Sequence, residues 1–521
     1  MRIHDFSLRC DLVTIVSYFL IVVFVIINVV TLPHYGISWD EPYHFQIGRA
    51  AVNYLRTGQA HFIAFTGINY QYYGQILEIV NDYAADIFTS ALSLAYIDAR
   101  HILLVFIAGL GALALFHLAK MLFGSAIALF ALIFFFLFPR FWGDVHYNPK
   151  DIPLMVLSLT TALFLLRAFT QRSGIYAFLA GISLGLGMAI RVDAVLIVPI
   201  FFFAYGLQIL RTRTRDDRRV LRRDALLAAI FLVVAAVVSY LAWPSLWRDP
   251  LLFFHSLSYF QRHSWPELVM YFGKLYRGSG LPWHYTAVYF FITTPAIMLP
   301  LITFGFYVAV KNFVRQRAHM RYGLLLSWFI IPLLISIKPG LVRYDGIRHF
   351  YLLLPAMAII AGLGLRHIIS VMAQYLSIPH IPIGLILSAA IAVFLAREVY
   401  YAHPYEGYYF NSFIRMVYPQ HLENYFDFEY WGTSYRVGVQ WLNDHAAPRA
   451  VICVPIAEHL LRWYAVRSDL SFGCDGDYSY LMFITRYSFL PAEKADEVRR
   501  LPPPIFTVSR YHSDLLHIYK L

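Results

Sequence analysis

A chain of 521 residues is long enough for two or three soluble domains, but its composition excludes that arrangement. Hydrophobic residues make up 59% and charged ones 14%, against roughly 45–50% and about 25% in soluble domains, so most of the apolar surface must face lipid. The net charge of +11 does not point to nucleic acid: its densest cluster, seven arginines in 211–223, lies between two apolar runs, as cytoplasmic loop markers do.

The first apolar run, 12–31, follows Arg2 and Arg9 and lacks a small-x-small cleavage site, so it reads as a retained signal anchor. Further runs at 101–121, 123–139, 152–169, 174–190, 193–209, 225–243, 284–310, 322–337, 350–366 and 381–400 bring the expectation to about 11 transmembrane helices. Each run is continuously apolar and near the ~17–25 residues that span a hydrocarbon core, without the alternation of a barrel strand. With the N-terminus inside, Lys120, Arg167, Arg172, the 211–223 block, Lys311, Arg315, Arg317, Arg321 and Arg366 all fall on the cytoplasmic side, satisfying the positive-inside rule. The predicted fold is therefore an all-α polytopic membrane domain over 1–400, with a first extracytoplasmic loop at 32–100. A small mixed α/β extramembrane domain follows over 401–521, with a strand at 450–456 and a Pro-rich turn at 501–504. Cys10 sits at the cytoplasmic end of the first run. One bridge between Cys453 and Cys474 is open if their segment meets an oxidising compartment.

The outside loops carry the chemistry. The first opens with Ser38-Trp39-Asp40-Glu41-Pro42, adjacent carboxylates at the mouth of the helices. A helix N-cap accounts for them equally well on local grounds. The second holds Asp144, Asn148, Pro149, Lys150 and Asp151, again an acid where a span begins. Charge parity puts both acidic sites on one face, together with Arg191, Lys274, Arg277, Lys338, Arg343, Arg348 and His349, a set suited to an anion. Glu78, Asp82 and Asp86 form an acidic stripe best read as a solvated helix face. His34, His44 and His61 lack a zinc-ligand spacing.

Trp39-Asp40-Glu41, the Asn148-Pro149-Lys150-Asp151-Ile152-Pro153 stretch and Tyr344-Asp345-Gly346-Ile347-Arg348-His349 resemble the GT-C glycosyltransferases, in particular glycosyltransferase family 39, the protein O-mannosyltransferase and lipid A aminoarabinose transferase group. The 405–411 stretch and Tyr430-Trp431-Gly432 are similar to a bacterial branch with a short C-terminal domain. The resemblance implies a polyprenyl-phosphate sugar donor and transfer with inversion to a glycan, lipid or protein acceptor on the periplasmic face of the inner membrane. It implies Asp40 as general base, Glu41 and Asp151 beside the acceptor or a metal, and Arg191, Arg348, His349 and Lys150 about the donor phosphate. The leaving phosphate's charge can be met by arginine, by lysine or by a divalent Mg or Mn ion. The competing reading is a transporter or flippase of a lipid-linked or anionic substrate. Such proteins break their helices with polar residues at mid-span, whereas these runs are almost purely apolar with charges at one face.

Overall fold

The computed structural model describes residues 11–58, 70–212, 218–262, 265–315 and 319–521. Arg2, Arg9, Cys10, His61, Arg213, Arg215 and Arg317, invoked above, lie outside the described residues. The chain opens with α1 (Leu12–Val30), N-capped by Asp11, whose carboxylate accepts from Thr14 N. Two amphipathic helices of the first loop, α2 (Glu41–Thr57) and α3 (Ile76–Leu92), precede α4 (Tyr96–Phe123). Then come α5 (Ser125–Phe136), α6 (Pro139–Tyr147), α7 (Asp151–Gln171), α8 (Gly174–Met188), α9 (Ile197–Thr212), α10 (Arg218–Ala242) and α11 (Leu252–Arg262). A hairpin of β1 (Leu268–Tyr271) and β2 (Lys274–Arg277), with no counterpart in the sequence expectations, leads to α12 (Tyr285–Thr293), α13 (Met298–Val314), α14 (His319–Ser336), α15 (Leu354–Leu376) and α16 (His380–Ala402).

Among the described residues, seven helices are long and apolar enough to cross a membrane, and two bent pairs raise the count to nine. The shorter apolar helices Gly174–Met188 and Met320–Ser336 occupy the remaining predicted positions. Two predicted runs are therefore corrected. The run at 123–139 is not one straight span: α5 and α6 meet at 65°. Pro139 opens α6 and holds Phe138 in an extended conformation, which ends α5. The run at 284–310 is likewise broken, with α12 and α13 at 119°; Thr294, before Pro295, is extended for the same reason.

Small residues let the helices approach. A Cβ on Gly305 would meet the Ile360 carbonyl at 1.8 Å, and one on Gly364 the Leu301 carbonyl at 1.8 Å, so α13 and α15 cross backbone to backbone. Gly181 and Gly185 of α8 do the same against α10.

Beyond α16 the chain forms α17 (Ser412–Val417), α18 (Tyr435–His445), β3 (Val451–Cys453), β4 (Ser471–Phe472), β5 (Tyr480–Ile484), α19 (Ala492–Val498), β6 (Phe506–Arg510) and β7 (Ser513–Lys520). The strands make one sheet in the order β4-β3-β5-β7-β6. β3 runs parallel to β4 and β5, and β7 antiparallel to β5 and β6. The expected strand at 450–456 is β3, shorter than predicted. Cys453 and Cys474 are joined by a disulfide across 21 residues of sequence.

Candidate active site

Asp40 stands at the head of α2 yet makes no side-chain cap bond. Its neighbour does the local work: Glu41 accepts from Ser38 N at 2.7 Å and meets His101 Nε2 at 2.9 Å. That division frees the Asp40 carboxylate for long-range partners. Its Oδ2 lies 3.6 Å from Lys150 Nζ and 3.3 Å from Arg348 Nη1. Burial works to raise its pKa, but Lys150 and Arg348 outweigh burial and hold the carboxyl well below the ordinary carboxylate range. Burial draws Lys150 downward, with Asp40 opposing.

The second acid joins the same group. Lys150 and Asp151 are consecutive at the start of α7, and Asp151 is bonded to Arg191 and accepts from Asn148 Nδ2 at 3.1 Å. Arg191 follows α8 in an extended conformation and also grips Asp193. Arg348 opens the turn into α15. One arm meets Asp40, the other donates to Asp345 Oδ2 at 2.7 Å, and its guanidinium carbon sits 4.4 Å from the centre of the Trp431 ring. Stretches far apart in the chain thus bring Asp40, Asp151, Lys150, Arg191 and Arg348 to one place. His349 borders it, its ring meeting Tyr344 edge-on at 4.6 Å.

Glu41 is grouped with Asp40 in sequence, but its carboxylate bonds within the fold rather than among the cations. The other predicted basic residues divide. Lys274, Arg277 and Lys338 are exposed. Arg343 is buried and donates to the carbonyls of Leu281, Pro282 and Ser336, a backbone clamp rather than an anion ligand. The acidic stripe is corrected at Glu78, which is only 4% exposed and pairs with His44 at 2.7 Å and Arg100 at 2.9 Å where α2 and α4 cover that face of α3, while Asp86 stays exposed.

Sequence reasoning missed the aromatic walls and a second arginine. Tyr73 lies beneath Lys150, whose Nζ is 4.5 Å from the ring centre. Gly74 permits this, since a Cβ there would strike the Ala189 carbonyl at 1.8 Å. Trp265 stacks on Tyr344 at 4.0 Å and 3°. Arg486, just beyond β5, donates to Asp345 Oδ1 at 2.7 Å while its guanidinium lies 3.9 Å from the Phe489 ring. None of these contacts has a local sequence signal.

The donor set does not suit a divalent cation. Asp40 and Asp151 are already bonded to guanidinium or ammonium groups, and Lys150, Arg191 and Arg348 add three cations to the same cluster.

The fold is shared with solved structures at low sequence identity. The chain is similar to the oligosaccharyltransferase of Archaeoglobus fulgidus in its apo form, with TM-score 0.54 and 13% identity over 86% of this chain and 60% of that one. It is similar to ArnT from Cupriavidus metallidurans bound to undecaprenyl phosphate, with TM-score 0.50 and 13% identity over 96% and 97%. AglB of A. fulgidus in complex with an inhibitory peptide and a dolichol-phosphate gives 0.50 and 14% over 86% and 60%. The chain thus spans about 60% of the length of the archaeal enzyme and nearly all of ArnT. No curated protein matches it in sequence. Residues 88–243 match the family described as dolichyl-phosphate-mannose-protein mannosyltransferase, so the GT-C resemblance drawn from the sequence holds at the level of the fold.

Proposed function

We propose that the protein is a membrane glycosyltransferase that moves a sugar from a polyprenyl-phosphate donor to an acceptor hydroxyl, with inversion, on the periplasmic face of the inner membrane. The observation that carries this reading is the convergence of Asp40 with Lys150, Arg191 and Arg348, with an apolar groove whose lining begins at Pro153, two residues from Asp151, and at Ile190, next to Arg191. That groove, a cavity of about 620 Å³, runs between α3, α4, α7 and α8 from Pro153 and Ile190 to His117 and Arg167. Pro153 and Arg167 stand about 21 Å apart along α7 by helical rise. A phosphate held by Arg191 and Lys150 leaves its isoprenoid tail a hydrocarbon-lined path within the bilayer.

The chemistry follows from the partition of charge. The acceptor oxygen attacks the anomeric carbon as its proton passes to Asp40. The carbon–oxygen bond to phosphate breaks and its electron pair leaves with the phosphate. That leaving group needs positive charge rather than a proton, and Arg191, Arg348 and Lys150 supply it. Without donor, Asp40 is a poor base because Lys150 and Arg348 hold it ionised. A donor phosphate takes a share of both cations, which raises the basicity of Asp40 when the acceptor needs it. Asp151 orients Arg191, and Glu41 fixes the start of α2 behind Asp40. The disulfide supports an oxidising, periplasmic location for the sheet domain.

The test is Asp40→Asn in membrane vesicles supplied with lipid-linked sugars, the physiological donor and acceptor first identified by mass spectrometry of glycolipids and glycoproteins from cells with and without the gene. Transfer should fall by about 10²–10⁴-fold with expression and thermal stability intact. Near-normal turnover removes Asp40 as the base.

A further inference from the structure

A second cluster of ionisable groups lies in the sheet domain and shares no residue with the cavity. The tight turn at Leu422–Asn424 brings His421 and Glu423 against Asp514, which belongs to the β6–β7 hairpin. One donor atom from each lies within 4.8 Å of the other two. His421 Nδ1 is 2.8 Å from Glu423 Oε1 and 4.0 Å from Asp514 Oδ2.

Glu423 makes this more than a surface acidic patch. It is 2% exposed, and its Oε2 is buried without a hydrogen-bond partner among the described residues. A buried carboxylate oxygen in that condition is costly unless a cation or donor meets it. The Asp514 carboxylate faces the same space, with Ser509 Oγ on Oδ1 at 2.6 Å and His517 Nε2 3.8 Å from Oδ2. Arg510 borders the depression but does not neutralise the acids. Its guanidinium donates to the carbonyls of His403 and Ser509 and lies over the Tyr405 ring. Two carboxylates therefore face one another with imidazole as the neighbouring source of positive charge.

We propose that His421, Glu423 and Asp514 bind a divalent transition-metal ion of the zinc class. One imidazole nitrogen with two carboxylates is a mixed nitrogen–oxygen set, which suits zinc rather than the all-oxygen shells of calcium or magnesium. The ion replaces the His421–Glu423 hydrogen bond and meets the orphaned oxygen. His421 and Asp514 line a depression of about 380 Å³ also bordered by Gln420, Tyr511 and His512, where water completes the coordination. The site joins the β6–β7 hairpin to a segment that continues to Phe426, which bridges to Tyr271, and Asp427, which accepts from Met270 N. The bound ion ties the outer edge of the sheet to the β1–β2 hairpin of the membrane domain.

The experiment uses the full chain, purified in detergent, stripped with a chelator, and dialysed against zinc or, separately, magnesium. Metal per chain is measured by mass spectrometry, and melting is followed with and without the ion. One retained zinc, a higher melting temperature with it, and roughly tenfold or greater loss of affinity in Asp514→Asn and Glu423→Gln support the site. His421→Gln, at a half-exposed side chain, gives the same reading should loss of the buried acid impair folding. No retained zinc, equal retention in the variants, or magnesium bound as well as zinc overturns the proposal.

Discussion

As the proposed base, Asp40 has a strength that depends on who else holds its neighbours. In the free protein Lys150 and Arg348 outweigh burial and depress its carboxyl. An acid whose folded value lies below the ordinary one stays ionised as pH falls, so protonation of Asp40 should not shape kcat/KM near pH 4. On the proposed mechanism, bound donor diverts the two cations and raises its affinity for a proton. Since kcat/KM reports the free enzyme and kcat the complex, the acid limb of kcat should lie at higher pH than that of kcat/KM. Coincident limbs would refute competition between Asp40 and the phosphate. Arg348 carries a related prediction. It meets Asp40 with one arm, Asp345 with the other, and Trp431 with its face. A lysine keeps the charge but not the fork, so Arg348→Lys should lose about tenfold to a hundredfold in kcat/KM, the worth of one or two charged hydrogen bonds. Activity within twofold of wild type would reduce Arg348 to a point charge.

Helices deliver these residues because their backbones pack closely and break where prolines require. The turn bearing Arg348 leads directly into α15, which crosses α13 at Gly305 and Gly364. A methyl group at Gly364 points at a main-chain carbonyl, which yields only if a helix moves. Gly364→Ala should therefore cost about 1–3 kcal/mol, read as a lower melting temperature in detergent, and should weaken transfer by shifting Arg348. Gly206→Ala on α9, where a Cβ meets nothing within 4 Å, is the neutral control; equal effects would show that the crossing is not tight. Element scale is also where sequence legibility divides. Among the described residues, continuous apolarity located all seven helices long and apolar enough to span, because exclusion of polar groups from lipid is a local property of a run. It could not tell α5 and α6, or α12 and α13, from straight spans, since an apolar residue suits lipid and protein interior alike. Pro139 and Pro295 were the available marks of both breaks. The acidic stripe on α3 failed differently: periodicity gave the correct face, but not the arrival of His44 and Arg100 to bury Glu78.

At the scale of the whole molecule the sheet domain is wired into the cation cluster through Asp345. Charge parity brought Asp40, Lys150, Arg191 and Arg348 to one face because each borders a membrane helix, where orientation is countable. Arg486 borders none, and its role depends on where the sheet docks, a long-range outcome of packing. Asp345, 2% exposed, accepts from Arg348 with one oxygen and Arg486 with the other, while Arg486 also donates to the Tyr430 carbonyl. Removing Arg486 leaves Asp345 with one cation, strengthens its hold on Arg348, and draws that side chain from the donor phosphate. Arg486→Gln should reduce kcat/KM without loss of membrane expression. Asp345→Asn frees Arg348 and should make the further removal of Arg486 nearly silent. The two substitutions combined should depart from additivity by about 0.5–3 kcal/mol in transition-state stabilisation. A merely structural contribution from Arg486 predicts instead that its cost persists in the Asp345→Asn background, and additive losses would uncouple the sheet domain from the chemistry.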